Sequence, residues 1–319
     1  MWRATNWMKY FIFSFAIFLF AGSKSYASEV TYSNTTPLAY GSTSPCASPL
    51  TGTITVGDSF TITDVKVRFI ATHPWRTDTN LSIISPNGTT VDLLTGAYGA
   101  NLDNYNVTFD DDAAIVVDTG THAVNQPFTG PGVDVRSEGE PLSDFDGENA
   151  QGTWTYSVCD VFTGSDDGTV LEVGLIFTVF PNINAGKSVA IYPPDQYFLP
   201  GADVIYTINV TNSGVGTVDT DAMFLVDVVP SEVTFYNGDM DDAGAGTTTP
   251  ILFAESGSGL TLNYPADVGY SNAVTKPTSM AACSYNPAGG YDSAVTYICF
   301  NPKGEFQGGS PSPAFSVSF

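Results

Sequence analysis

The sequence predicts an all-β protein made of two β-sandwiches. Three observations carry this reading. Short runs of alternating apolar and polar residues recur along the whole chain, the period of a half-buried strand. Gly, Asn, Asp and Pro break these runs at intervals that suit turns. Long amphipathic windows at helical spacing are absent. At 319 residues the chain is long enough for two domains.

The first 27 residues read as a signal peptide. Arg3 and Lys9 form a positive start, and Tyr10 to Ala21 is an apolar run of roughly a dozen residues. That is shorter than the ~20 residues a spanning helix needs. Ser25-Tyr26-Ala27 places small residues where a signal peptidase cuts, so cleavage is expected after Ala27. The alternative is an uncleaved N-terminal anchor. No later run is apolar and long enough to span a bilayer, and a secreted or cell-surface location is expected.

The leader holds three of the chain's ten basic residues and no acid. Seven basic and 33 acidic residues remain after it, a net charge of −26. Such a surface repels phosphate backbones and argues against nucleic-acid partners. It suits a secreted protein or one that binds divalent cations. Cys46 and Cys159 lie in the first half, Cys283 and Cys299 in the second. One pair per half in an oxidising compartment predicts two intradomain disulfides. Closing the short Cys283–Cys299 loop is expected to contribute about 3 kcal/mol.

Ser28 to about Pro49 is polar and turn-rich and reads as an arm tied down at Cys46. Phe60 and Ile62 share one parity; Val65, Val67 and Phe69 take the other after Asp64, which predicts a bulge or corner there. Leu81, Ile83 and Ile84 lead into the hairpin turn Ser85-Pro86-Asn87-Gly88, and Val91 and Leu93 return. Val107 and Phe109 form a short strand. Trp154, Tyr156 and Val158 alternate with Thr155 and Ser157, and Val170 to Phe180 closes a domain over residues 28–181. Pro181 to Gly186 reads as a linker to a second domain, residues 182–319. Its clearest strand is Val204, Tyr206, Ile208 and Val210, followed by the turn Asn212-Ser213-Gly214. Phe224, Val226 and Val228 alternate next, and Phe315, Val317 and Phe319 alternate at the end.

Several ordered blocks in the first half resemble the P domain (Homo B domain) of proprotein convertases. They are Asp64-Val65-Lys66-Val67, His73-Pro74-Trp75-Arg76, Leu81-Ser82-Ile83-Ile84-Ser85-Pro86-Asn87-Gly88-Thr89, Phe109-Asp110-Asp111 and Pro141-Leu142-Ser143-Asp144-Phe145-Asp146-Gly147. Gly152-Thr153-Trp154, Val158-Cys159-Asp160 and Asp167-Gly168-Thr169-Val170-Leu171 complete the set. Thr77-Asp78-Thr79-Asn80 is longer than the family's usual turn, and Val173 stands where the family often has Trp. The resemblance implies a jelly-roll-like sandwich that accompanies a subtilisin-like serine endopeptidase and carries no catalytic residue. The second half is similar to a repeat of unknown function common in bacterial surface proteins. Pro200 to Gly214 and Asp227-Val228-Val229-Pro230 carry that similarity, which implies an Ig-like sandwich.

Three segments are similar to the aspartate, histidine and serine segments of subtilisins: Asp118-Thr119-Gly120, Gly120-Thr121-His122 and Thr278-Ser279-Met280-Ala281. Asp118 and His122 are four residues apart, too close for groups that the family carries on separate elements. Pro277 and Cys283 also depart from the serine segment. No catalytic domain is therefore expected. His73 reads as a packed structural histidine, and Ser258 between two glycines lacks the glycine spacing of a nucleophile elbow.

A cation site is the stronger chemical expectation. Asp144, Asp146, Glu148 and Asn149 place oxygen side chains around Gly147, and Asp160 is a further candidate ligand. Ca²⁺ takes about 6–8 such oxygens. Asp110 to Asp112, Asp166 and Asp167 are further acids that could complete a site, and Asp239 to Asp242 is a similar cluster in the second half. The competing reading is that these are solvated turn acids capping backbone amides. Two functions follow. One is a structural or adhesive surface module with an extracellular protein or glycan partner. The other is an accessory protein of a separate subtilisin-like protease.

Overall fold

The computed structural model describes residues 27–96, 103–117, 132–162, 164, 166–192, 197, 199–240 and 249–319, with the backbone alone at 2–4 and 17–21. The chain divides into two compact units, Ala27–Val179, and Phe180–Phe319 together with Met1–Tyr26. Both are all-β. Two N-terminal strands, β1 (Trp2–Ala4) and β2 (Ile17–Ala21), pair within the second unit.

The first unit contains β3 (Ser28–Asn34), β4 (Leu38–Gly41), β5 (Leu50–Val56), β6 (Val65–Thr72), β7 (Thr79–Ile84), β8 (Thr90–Thr95), β9 (Tyr105–Phe109), β10 (Val133–Val135), β11 (Gly152–Asp160) and β12 (Asp167–Val179). One sheet runs β10-β9-β6-β12-β3, with β4 also on β12; the other runs β5-β11-β7-β8. Val67, Phe69, Leu81, Leu93, Phe109, Trp154, Leu175 and Phe177 form its buried core. Trp154 stacks edge-on against Phe145 at 5.0 Å and lies 5.7 Å from Phe177. Its indole N–H donates to the Ala150 carbonyl at 2.8 Å, so the buried ring leaves no polar atom unmatched.

Two sequence expectations differ here. The polar arm forms β3 and β4; alternate residues of β3 are only half-buried, so little apolar signal marks it, while β4 buries Tyr40. Phe60 and Ile62 lie outside any strand. They run as a strap along the 147–150 loop, with Gly147 N–H donating to Ile62 O and Ala150 N–H to Phe60 O, both at 2.9 Å. The parity switch at Asp64 marks the join between this strap and β6, while the bulge falls in β12 between Val170 and Glu172.

The second unit contains β13 (Ile183–Tyr192), β14 (Asp203–Asn212), β15 (Met223–Val228), β16 (Val233–Asn237), β17 (Leu252–Ser256), β18 (Val268–Ser271), β19 (Gly290–Asp292), β20 (Tyr297–Phe300) and β21 (Ala314–Ser318). One sheet runs β17-β21-β14-β1-β16-β19 with β13 also on β14, and the other runs β18-β20-β15-β2. Tyr206, Ile208, Leu225, Phe235, Phe300, Phe306, Phe315 and Val317 share one core. The expected linker is instead the start of β13, paired residue by residue with β14 from Ile183↔Asn212 to Tyr192↔Asp203. Ala185, Gly186 and Ser188 are exposed on this edge strand, which hides its alternation from a hydropathy reading.

Both predicted disulfides are formed, Cys46–Cys159 and Cys283–Cys299. The first closes a sequence separation of 113 residues, the second one of 16.

Candidate functional site

The chemistry-bearing residues of the first sandwich fall into two groups. The first is centred on Asp160, the last residue of β11 and fully buried. Its amide donates to the Ser44 carbonyl at 3.1 Å, and its Oδ1 accepts the Phe162 amide at 2.6 Å. Its Oδ2 lies 3.3 Å from Nε2 of His73, which is also fully buried.

The tautomer of His73 follows from its other nitrogen. Nδ1 accepts the Trp75 amide at 3.1 Å, so the hydrogen sits on Nε2 and is donated to Asp160. The Tyr40 ring stacks on the imidazole at 5.3 Å, and its hydroxyl meets Thr79 Oγ1 at 2.8 Å. Burial pushes the Tyr40 phenol well above its ordinary range, with Asp160 adding to the shift against the Thr79 hydrogen bond. Asn104, in the left-handed region at φ 60°, clamps the His73 backbone through Oδ1 and N–H at 3.0 and 2.9 Å. The Arg76 guanidinium is buried and donates to the Asn104 carbonyl at 3.3 Å.

A His–Asp pair suggests general-base chemistry, but this one has the wrong geometry for it. A catalytic imidazole must direct its second nitrogen at a nucleophile. Here that nitrogen is held by a backbone amide, and the ring is closed off from solvent. The pair anchors a corner: it joins the end of β6, the end of β11 and the arm that carries Cys46. Asp118 and His122 of the subtilisin-like segments lie outside the described residues. Ser279 is exposed at the start of the 3-10 turn Met280–Ala282.

The second group is the acidic loop. The 3-10 turn Leu142–Phe145 buries Leu142 and Phe145 and turns its polar residues outward. Asp111 caps it, its two oxygens each accepting one amide, from Leu142 and Ser143, at 2.9 Å. Gly147 takes φ +85°, a conformation costly for a side-chain-bearing residue. Asp144 and Asp146 are exposed. Burial pushes the Asp146 carboxyl up, and Asp64 and Asp111 push the same way. Asn149 Oδ1 accepts the Gln151 amide at 3.0 Å, and its Nδ2 donates to Ser59 Oγ.

Glu148 crosses to the Ser85–Gly88 turn, where Thr89 Oγ1 and Asn87 Nδ2 donate to its carboxylate. Burial opposes its ionisation, yet hydrogen bonds from Ser85, Thr89 and Asn87 hold the carboxyl below its ordinary 4.5. A depressed folded pKa gives stability that is present above the unfolded value and lost as pH falls through the folded one. Glu148→Gln is therefore expected to cost about 1–2 kcal/mol at neutral pH. The gap in melting temperature from the native chain should close on acidification below the carboxylate range. A gap that ignores pH would show that the charge contributes nothing.

The five residues expected to bind a cation are thus not brought to one centre. Asp160 is committed to His73 and the Phe162 amide, Glu148 to the hairpin, and Asn149 to its own turn. Among the described residues, no group of three or more His, Cys, Asp or Glu side chains is placed to hold a metal ion. No described helix is long and apolar enough to cross a membrane.

The first sandwich holds a buried anchoring pair, and a part of it is similar to a known family. Residues 62–177 match the family of the proprotein convertase P-domain. The match runs from Ile62 through β6 to β11 and most of β12, and includes His73, Asp160 and the acidic loop. No curated protein matches the chain. Among solved structures, the chain is similar to the Aeromonas sobria serine protease in complex with its ORF2 chaperone, at 18% identity and a TM-score of 0.29. That likeness covers 47% of this chain and 27% of the other. The serine protease of Aeromonas sobria alone gives 16% identity and a TM-score of 0.27 over 50% of this chain and 28% of that one. The chain thus spans little more than a quarter of these neighbours' length, and likeness at this level carries no functional argument.

Proposed function

We propose that the protein is an extracellular, non-catalytic partner of a subtilisin-like serine endopeptidase, with its first sandwich acting as the accessory P-domain. The observation that carries this reading is the P-domain match over residues 62–177. The interior supports it: the one buried His–Asp pair described is spent on anchoring a corner and not on activating a nucleophile. Two disulfides and the leader suit a secreted or cell-surface chain. The second sandwich takes the part of an Ig-like surface module. Calcium would add to this reading at the exposed Asp144–Asp146 edge, beside Asp111 and Asp64.

The test is a stability measurement on the endopeptidase. The mature chain, added to the subtilisin-like enzyme secreted by the same cells, should raise that enzyme's melting temperature and slow its autolysis. Unchanged melting and autolysis at saturating concentration would overturn the accessory role. Binding to a glycan array in the same preparation would favour the adhesive reading, which the Pro200–Gly214 repeat signature supports. Calorimetric titration with CaCl₂ settles the metal: heat of binding and a raised melting temperature support it, and a flat trace removes it.

A further inference from the structure

The chain carries two Asn-Gly dipeptides, Asn87-Gly88 and Asn237-Gly238, and the fold places them in opposite surroundings. Asn87 and Gly88 lie at the tip of the β7–β8 hairpin, where Pro86, Asn87 and Gly88 are all exposed. β8 is the edge strand of its sheet. Gly88 takes φ +95°, and a Cβ built on it would meet nothing within 4 Å. The Asn87 side chain is held by a long contact, from Nδ2 to Glu148 Oε1 at 3.5 Å. Asn237 lies at the end of β16, opposite Gly290 on β19. Its Nδ2 donates to the Pro287 and Ala288 carbonyls, both at 3.2 Å. The Tyr236 ring covers Gly238, where a Cβ would come within 2.2 Å of Cζ. From this contrast we propose that Asn87 is a self-modifying site: its side-chain amide is lost through a succinimide, leaving aspartate or isoaspartate at the hairpin tip, while Asn237 keeps its amide.

The step needs only water as co-reactant. When the tip frays, the Gly88 amide leaves the Ser85 carbonyl, to which it donates at 3.0 Å in the closed turn. Its nitrogen attacks Cγ of Asn87. The N–Cγ bond forms, the Cγ–Nδ2 bond breaks, and the amide hydrogen leaves with Nδ2 as ammonia. Water then adds to one of the two ring carbonyls. Opening on the Cγ side gives aspartate; opening on the main-chain side routes the backbone through Cγ as isoaspartate. Glycine favours the attack, because no side chain shields its nitrogen and its backbone is the least restricted. At Asn237 the same ring requires Nδ2 to release two carbonyls and the Tyr236 ring to lift.

The product changes the join between the hairpin and the acidic loop. Burial opposes ionisation of Glu148, and Asn87 is one of three donors, with Ser85 and Thr89, that outweigh it. After conversion a second carboxylate replaces that donor, and like charges at this range repel. Glu148 is also tied to the strap, its carbonyl accepting the Ile62 amide at 2.9 Å. Amide loss at Asn87 therefore loosens the hairpin from the loop and the strap, a change that accumulates with the age of the chain.

Peptide mapping of the folded, full-length chain after incubation in mildly alkaline buffer tests the site. The peptide with Asn87 should gain the mass difference between an amide and a carboxyl, with isoaspartate among the products. The peptide with Asn237 should stay unchanged. In urea both amides should be lost, since only the fold separates them; continued protection of Asn237 there overturns the contrast. Asn87→Gln should slow the conversion, because the longer side chain must close a larger ring. Asn87→Asp should lower the melting temperature of the first sandwich by about 2–4 °C relative to Asn87→Gln. That shift should vanish beside Glu148→Gln. An Asn87 amide that survives the incubation, or equal loss at the two asparagines of the folded chain, overturns the site. Conversion without isoaspartate overturns the succinimide route, and a melting shift that persists beside Glu148→Gln overturns the coupling.

Discussion

Replacing Cys46 and Cys159 together by serine is expected to destabilise the first sandwich by about 4–5 kcal/mol, because the cross-link closes a loop of about a hundred residues. Domains of this kind have a net stability of about 5–15 kcal/mol, so the variant should sit near the edge of folding at physiological temperature. The loss has a structural address. Cys159 precedes Asp160 on β11, and Pro45 bridges Asp160 from the arm. Without the cross-link, the Ser44 carbonyl that receives the Asp160 amide is held only by the turn Gly41–Ser44 and its neighbours. Urea unfolding of the first sandwich, with and without the two substitutions, measures the effect. A loss below about 1 kcal/mol would mean that the denatured arm stays near β11 unaided.

Asp160→Ala is the second large effect, expected at about 3–5 kcal/mol. The substitution leaves the Nε2 hydrogen of His73 without its acceptor in a buried site and frees the part-buried amide of Phe162. The unmatched buried donor carries its full desolvation cost. Removing both members with apolar residues should cost less than removing Asp160 alone. A double-mutant cycle with His73→Leu and Asp160→Leu reads this coupling. Purely additive losses would show that the pair is a bystander to packing.

The parts of the fold legible in the sequence are those with one dry face and one wet face. In β11, Trp154, Tyr156 and Val158 fill the core while Thr155 and Ser157 remain half-exposed, and in β14 the same rule places Tyr206, Ile208 and Val210. Edge strands escape this rule. β3 and β13 bury little, and their polar or small residues look like an arm and a linker. Pairing to a neighbour, and not hydropathy, makes them strands.

The side-chain groups were less legible, because their partners are far apart in sequence. His73 and Asp160 are 87 residues apart, and the buried ion pair of Lys187 and Asp227 spans 40. The acidic loop is the opposite case: its residues are close in sequence, yet Glu148 turns to the Ser85–Gly88 hairpin and Asn149 to Ser59 and its own turn.

The placement of the few basic residues also bears on life among proteases. Beyond residue 27 the chain has seven Lys and Arg residues at which an enzyme specific for them can cut. Arg68, Arg76 and Lys187 are withdrawn into the two sandwiches, and Lys66 is tied within β6 to Glu29 and Asp110 at 3.2 and 3.3 Å. Arg136, Lys276 and Lys303 are left as the accessible targets. The scarcity of Lys and Arg thus leaves few exposed bonds for an enzyme of that specificity.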